Sequence, residues 1–148
     1  MTVTTDQPRS MYAASVTRAV AVALIDAACA AAADIGVEMA IAVTDAAGHL
    51  KAFESMDNTP FLANDVAVDK AWTAASYRQT THVWNAYIQD PTVAQLAHRP
   101  RVVAVGGGYP LIEDGKVIGG LGLSGGNVEQ DQQAAEIALK ALEFDIPA

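Results

Sequence analysis

The side chains that could do chemistry lie mainly in the middle of the chain. His82 stands in the segment THVWNAY, near Tyr77, Trp84 and Tyr87. An imidazole facing an aromatic-lined cavity could act as a general acid or base near neutral pH. The alternative is a partly buried histidine whose ring nitrogen is satisfied by a backbone carbonyl. His82 is therefore a candidate site residue, and both interpretations stay open at this point.

Carboxylates and one lysine provide a second set of candidates. Asp45 and Asp57 flank the first predicted hairpin and could serve as general acids or bases. Lys70 stands in the alanine-rich stretch DKAWTAA, where it could pair with one of these acids or point into a pocket as an anion contact. In a pocket it would stabilise developing negative charge. A solvated acidic surface explains the same carboxylates without any chemistry.

The segment GLGLSG, residues 120–125, matches the dinucleotide-binding pattern G-x-G-x-x-G. That site requires a parallel βαβ unit with an acidic residue after the second strand. Here Asp114 and Gly115 predict a hairpin with the preceding strand, and only residues 126–148 follow the motif. We therefore expect neither a nicotinamide nor a flavin dinucleotide. The backbone N–H groups of Ser124, Gly125 and Gly126 could still hold an anion, although helix capping explains the same residues.

The composition excludes several classes of partner. The chain of 148 residues has 17 acidic and 9 basic residues, a net charge of −8 and no basic cluster, so we expect no nucleic-acid partner. The three histidines lack metal-site spacing, and we expect the single cysteine, Cys29, to be an inert packed thiol. Asp26 and Asp34 interrupt the most apolar run, which argues against a membrane span. Because the N-terminus has no signal-peptide pattern, we expect a cytoplasmic protein.

The elements that position these groups are expected to form one domain, residues 1–148, with a flexible N-terminus at residues 1–10. Periodicity and turn residues predict, in order, a helix at 11–34 ended by Gly36, a β-hairpin, a helix at 61–77, a helical piece capped by Thr80 or Thr81, a second hairpin with an extra strand, and a helix at 128–143 capped by Asn127. This order predicts an α/β (α+β) fold, with an antiparallel sheet of about five strands flanked by helices.

Several segments, taken in order, resemble one known family. VTDAAGHLKAF, ANDVAVDKAWTAA and GGGYPLIEDGKVIGGLGLSGG, with Asp131 downstream, are similar to the GlcG/HbpS family, which includes the C-terminal domain of PduO-type proteins. The similarity runs from about Ala14 to Leu142. It implies a profilin-like fold and a homo-oligomer, a dimer or larger, with a ligand groove near the subunit contacts. It also implies haem as a possible cofactor, because several members bind haem.

The resemblance also indicates where a ligand would bind. Either Thr73 or His82 would be the axial ligand of a bound haem. The groove would be lined by Lys70, Thr73, Tyr77, His82, Trp84, Ser124, Gly125 and Gly126. Two positions depart from the family pattern: Ser55 replaces a common arginine, which would pair with a carboxylate or propionate, and Asn58 replaces a glycine.

Two functions of different classes follow, and the sequence leaves both open. The leading hypothesis is a homo-oligomeric small-ligand-binding protein, with haem or a related planar, apolar molecule as the ligand. The alternative is a cofactor-independent lyase, isomerase or hydrolase acting on a small, partly apolar substrate. In that enzyme His82, Asp45 or Asp57 would be the acid or base, and Lys70 would stabilise negative charge. A purely structural partner protein, with a subunit contact through the first helix, is a third possibility.

Overall fold

The computed structural model describes residue 2 and residues 4–147; Met1 and Val3, which belong to the predicted flexible N-terminus, and Ala148 lie outside the described residues. The helices are α1 (Arg18–Ile35), α2 (Phe61–Tyr77), α3 (Thr81–Tyr87) and α4 (Val128–Ala141), with a 3-10 turn at Ala94–His98. The strands are β1 (Ala40–Asp45), β2 (Leu50–Ser55), β3 (Gly108–Glu113) and β4 (Lys116–Ser124). No helix within the described part of the chain is long and apolar enough to cross a membrane.

The four strands form one sheet in the order β2-β1-β4-β3, and every neighbouring pair is antiparallel. The predicted antiparallel α+β fold is confirmed, but the described residues form four strands, not five. The backbone of segment 101–105 is bonded to side chains instead of to a strand. Oγ1 of Thr73 donates to the carbonyl of Arg101 at 2.9 Å and accepts the N–H of Val103 at 3.1 Å, while Asn85 donates to the carbonyl of Ala104 at 2.9 Å.

The first helix is shorter than its apolar periodicity predicts. It begins at Arg18 instead of near Met11, because Thr17 is its N-cap and accepts the N–H of Val20 at 3.2 Å. Just before the cap, Val16 donates its N–H to the carbonyl of Ile118 at 2.8 Å, which ties the chain to β4. Residues 4–15, which we call the N-terminal arm, therefore contain no helix. The C-terminal end at Gly36, with φ of 87°, is as predicted.

The two faces of the sheet pack differently. Helices α1 and α4 cover one face of the sheet. The core between them contains large apolar side chains from the helices and from strands β1 and β4, which include Leu24, Leu139, Ile41, Val43, Leu121 and Leu123. Helix α2 covers the other face through alanines and approaches β4 very closely. A Cβ at Gly122 would collide with the carbonyl oxygen of Ala67, and one at Gly120 with that of Ala71. The GLGLSG glycines thus belong to an antiparallel strand on which a helix backbone rests.

The remaining helix predictions are confirmed with small changes at their ends. Helix α2 has the predicted bounds, and Thr80 is the N-cap of α3. Asn127 and Gln130 form a reciprocal capping box at the start of α4, which ends two residues earlier than predicted.

Candidate functional site

Lys70 and Asp131 form a buried ion pair at the centre of the candidate site. Nζ of Lys70 lies 3.0 Å from Oδ2 of Asp131 and donates a second hydrogen bond, 2.8 Å long, to the carbonyl of Leu123. The expected partners, Asp45 and Asp57, do not contact it. Helix α2 packs on β4 and, less extensively, on β1. Lys70 faces the end of β4 and the first turn of α4, where Leu123 and Asp131 lie.

Burial shifts the protonation equilibria of both partners in this ion pair. Lys70 is 1% exposed and Asp131 is 3% exposed. Removal from water lowers the pKa of Lys70, although the charge of Asp131 opposes that change. It also raises the pKa of Asp131, against the opposing effects of Lys70 and the Gly126 N–H. The pair therefore links three elements from within the protein and offers no exposed charge to a ligand.

The amides after β4 are partly used by the fold itself. Gly126 donates its N–H to Oδ1 of Asp131 at 3.0 Å. Ser124 is paired with Ala40 of β1 and is 9% exposed. Gly125 has φ of 135°, a conformation that favours glycine, and a Cβ there would lie 2.7 Å from the carbonyl oxygen of Glu38. This turn is held by a carboxylate of the same chain, which occupies the position that an external anion would take at Gly126.

A three-glycine segment, residues 106–108, connects the ion pair to α3. A Cβ at Gly107 would lie 2.9 Å from Nζ of Lys70, and one at Gly108 would lie 2.5 Å from a methyl carbon of Thr81. The N–H of Gly108 donates to Oγ1 of Thr81 at 2.8 Å. Glycine is required here because helices α2 and α3 both press on this backbone.

His82 lies in the first turn of α3 and has one unused ring nitrogen. Its Nε2 is 3.1 Å from Oγ1 of Thr80, and its ring meets that of Tyr109 edge-on with centroids 5.8 Å apart. Its Nδ1 is buried without a hydrogen-bond partner among the described residues. Tyr109 in turn donates its hydroxyl to Glu136 at 3.0 Å, and burial together with that carboxylate raises the pKa of the phenol. The phenol therefore stays protonated beside His82.

Three aromatic rings form a cluster on a different face of α3. Trp84 is 2% exposed and makes edge-on contacts with Tyr77, at 5.3 Å, and with Tyr87, at 5.7 Å. The outer rings are open to solvent, with Tyr77 68% and Tyr87 45% exposed. Because residues two apart on a helix do not face each other, Trp84 and His82 point in different directions. The predicted aromatic surface exists, but it does not surround the imidazole.

Thr73, the other axial-ligand candidate, is fully buried. Its hydroxyl bonds to the backbone of Arg101 and Val103, as described for segment 101–105. The side chain therefore holds that segment against α2 and does not reach the surface.

The two candidate acids lie apart from the ion pair and from His82. Asp45 ends β1 at the far end from Ser124, and its Oδ1 accepts the N–H groups of Ala47 and His49, both at 2.9 Å. Burial alone would raise the pKa of Asp45, but the hydrogen bonds from His49 and Ala47 hold it below its usual value. Asp57 is exposed in the turn after β2. Asp45 thus fixes its own turn.

The structure brings Lys70 and the Ser124–Gly126 turn together and places His82 beyond the glycine segment. The connecting residues Asp131, Thr81 and Tyr109 were missing from the sequence-based site. Asp131 was visible as a residue shared with a known family, but nothing in its spacing marked it as the partner of Lys70. Within the described residues, no group of three potential metal ligands comes together.

Two depressions on the surface lie away from His82. The smaller, about 200 Å³, is next to Trp72 and Gly48. The larger, about 460 Å³, lies between the start of α1, the β3–β4 turn and the C-terminal segment. A planar ligand at His82 would therefore rest on an open surface of this protomer.

Comparison with known proteins identifies the family. The family model described as "Haem degrading protein HbpS-like" matches residues 16–140. This chain belongs to the HbpS-like family. It is 38% identical over 134 residues to the uncharacterized 15.0 kDa protein in the dhaT-dhaS intergenic region of Citrobacter freundii, covering 88% of this chain and 94% of that one.

Two solved structures of similar proteins have the same fold. Klebsiella pneumoniae ORFY superposes with a TM-score of 0.86 at 33% identity, covering 93% of this chain and 97% of that one. The PduOC:haem complex superposes with a TM-score of 0.82 at 30% identity, covering 90% and 99%. The resemblance found in the sequence is confirmed.

Proposed function

We propose that this HbpS-like protein is a homo-oligomeric haem-binding protein, in which a second subunit completes the site on the α3 surface. Two findings support the ligand class: a relative of 30% identity forms a haem complex, and the family is described as haem-degrading. The observation in this chain that carries the proposal is the unpartnered Nδ1 of His82.

The residues on α3 fit a haem in their chemistry. A neutral imidazole nitrogen is a common axial ligand of haem iron, and Nδ1 of His82 has no hydrogen-bond partner among the described residues. Because Nδ1 is buried, the ring would have to turn to reach a haem outside the protomer. Thr80 sets the orientation of the ring through its contact with Nε2, and Tyr109 supports one edge. A bound haem would supply redox or ligand-binding chemistry at its iron. His82 would hold the iron, whereas Tyr77 and Tyr87 pack around Trp84 on a different face of α3.

The open surface favours a site between subunits. Neither of the two depressions described above is lined by His82, so a second copy would cover a planar, apolar ligand there and exclude water from it. Ser55 and Asn58 retain ordinary structural contacts: the Ser55 hydroxyl reaches the carbonyl of Met56, and the Asn58 N–H donates to Glu38. Neither contact supplies the cation that the common arginine would offer to a propionate.

Hemin titration tests the proposal. Wild-type protein should shift the Soret band with saturable stoichiometry, and His82→Ala should lose that shift while keeping its thermal unfolding midpoint. His98→Ala is the matched control, because His98 is exposed in the 3-10 turn. Thr73→Val tests the other axial candidate. Absence of a Soret shift in the wild type would refute haem binding.

The enzyme alternative has less support from the geometry. Asp45 is engaged in its turn, Lys70 is buried in an ion pair, and the Gly126 amide is bonded to Asp131. These groups would all have to leave their partners before meeting a substrate. We therefore do not propose cofactor-independent catalysis.

A further inference from the structure

The N-terminal arm carries two large apolar side chains that no other described residue covers. Met11 is 85% exposed and Tyr12 is 104% exposed, the latter as open as in an extended peptide. The root of the arm is nevertheless fixed. Oγ of Ser15 accepts the N–H of Ala46 at 3.0 Å, and Val16 donates to the carbonyl of Ile118 at 2.8 Å. An anchored segment that presents uncovered apolar side chains is typical of an interaction element.

The larger depression begins at the root of that arm. Its volume is about 460 Å³, and Ser15 and Val16 form part of its wall. Its other apolar lining residues are Val20, Ile112, Ile118, Leu142 and Phe144. A depression of this size is large enough for one or two side chains of the size of Met or Tyr.

Four carboxylates line the same depression: Glu113, Asp114, Glu143 and Asp145. None of them forms an ion pair with a basic residue in the described part of the chain. The arm carries one acid, Asp6, and one base, Arg9, which lies two residues before Met11. An arm that places Met11 and Tyr12 on the apolar lining can therefore bring Arg9 to the acidic rim.

We propose that two copies of this chain exchange their N-terminal arms, each arm seating Met11 and Tyr12 in the larger depression of its partner. This inference rests on the proposed homo-oligomer and identifies one of its interfaces. Ser15, the last residue of the arm, and the following Val16 both line the depression. A two-fold axis near this root therefore brings each arm over the other copy's depression without any long connection. Tyr12 lies four residues before Val16, a span of at most about 14 Å, which matches such a short exchange.

Sedimentation velocity measures the association directly. Wild-type protein should sediment as a dimer or larger species. Met11→Ala/Tyr12→Ala should raise the dissociation constant at least about 30-fold, because two apolar anchors are lost. Phe61→Ala/Leu62→Ala is the matched control, since Phe61 (89%) and Leu62 (70%) are also large, highly exposed apolar residues, here on α2. The control variant should keep the wild-type state, and both variants should keep the wild-type unfolding midpoint.

Disulfide trapping distinguishes exchange from folding back within one copy. In a Cys29→Ser background, Tyr12→Cys/Phe144→Cys should give a covalent dimer after oxidation. Neither Tyr12→Cys alone nor Tyr12→Cys/Gln79→Cys should give that yield. An intramolecular bond, or an arm variant that keeps the wild-type oligomer, would overturn the exchange and leave the homo-oligomer standing. A monomeric wild type would instead overturn the oligomer proposed above.

Discussion

Lys70 and Asp131 stand 61 residues apart in the sequence, and their charged groups lie 3.0 Å apart in the fold. The pair lies at one end of the sheet and links its two faces, because Lys70 belongs to α2 on one face and Asp131 to α4 on the other. The pair therefore joins the two helical layers through an electrostatic contact.

Breaking this pair should be costly, whereas replacing both partners should cost much less. We expect Lys70→Met or Asp131→Leu alone to lower the free energy of unfolding by about 3–5 kcal/mol, because each leaves a buried charge unpaired. Lys70→Met/Asp131→Leu should recover most of that loss. Urea unfolding of the four proteins gives the coupling energy directly. Additive losses in the double variant would contradict a coupled pair.

Gly122→Ala should destabilise the protein through steric overlap. The new methyl group would meet the carbonyl of Ala67, and neither backbone can move alone, so we expect a loss of about 3 kcal/mol or failure to fold. Gly36→Ala is the control, because a Cβ there meets nothing within 4 Å and the cost comes only from φ of 87°. That cost should be about 1 kcal/mol. Equal losses in chemical denaturation would argue against close packing at β4.

Cys29 should react slowly with disulfide reagents in the native protein. Burial, with the adjacent Glu54 carboxylate at 2.7 Å from Sγ, raises the pKa of the thiol to about 12. At pH 8 the thiolate is then about 1000-fold scarcer in the native protein than in the unfolded chain. A thiolate with a higher pKa is also a stronger nucleophile, and this offsets about 20-fold of the difference in rate. Native labelling should be about 50-fold slower than labelling in urea. Glu54→Gln should speed it, and equal rates in both states would contradict the raised pKa.

The raised pKa of the Cys29 thiol also predicts that the protein loses stability at alkaline pH. Its folded pKa lies above the unfolded value of 9.0, so its contribution is complete below pH 9 and is lost as pH rises towards 12. The difference in unfolding midpoint between wild type and Cys29→Ala should therefore change over that interval. A constant difference from pH 8 to 12 would rule out the linkage.

Asp45 should contribute to stability only in its ionised form. The hydrogen bonds from Ala47 and His49 lower the folded pKa, so the contribution is complete above the unfolded value and disappears as pH falls through the folded one. Asp45→Ala should therefore be less stable than wild type at pH 7 and equally stable at about pH 2. Thermal unfolding at both pH values measures this. A difference that persists in acid would assign another role to Asp45.

Signals between residues close in the sequence predicted the helices, strands and turns well. They could not predict which residues distant in the sequence come into contact. The Asp114–Gly115 turn, the Asn127 cap and the bounds of α2 each depend on residues a few positions apart. The partner of Lys70 was not predictable, because it depends on which strand α2 covers. The missing fifth strand has the same cause: Thr73 and Asn85 bind the backbone that would otherwise pair with a strand.

The contact between α2 and β4 also limits how the protein can move. The carbonyl oxygens of Ala67 and Ala71, which are about one helical turn apart, lie against Gly122 and Gly120. These two glycines are two residues apart along the strand. Sliding α2 along the sheet would move these carbonyls away from the two glycines, which lack the Cβ atoms that would block so close an approach. A displacement of α2 would therefore carry β4 with it, so helix and sheet should move as one unit.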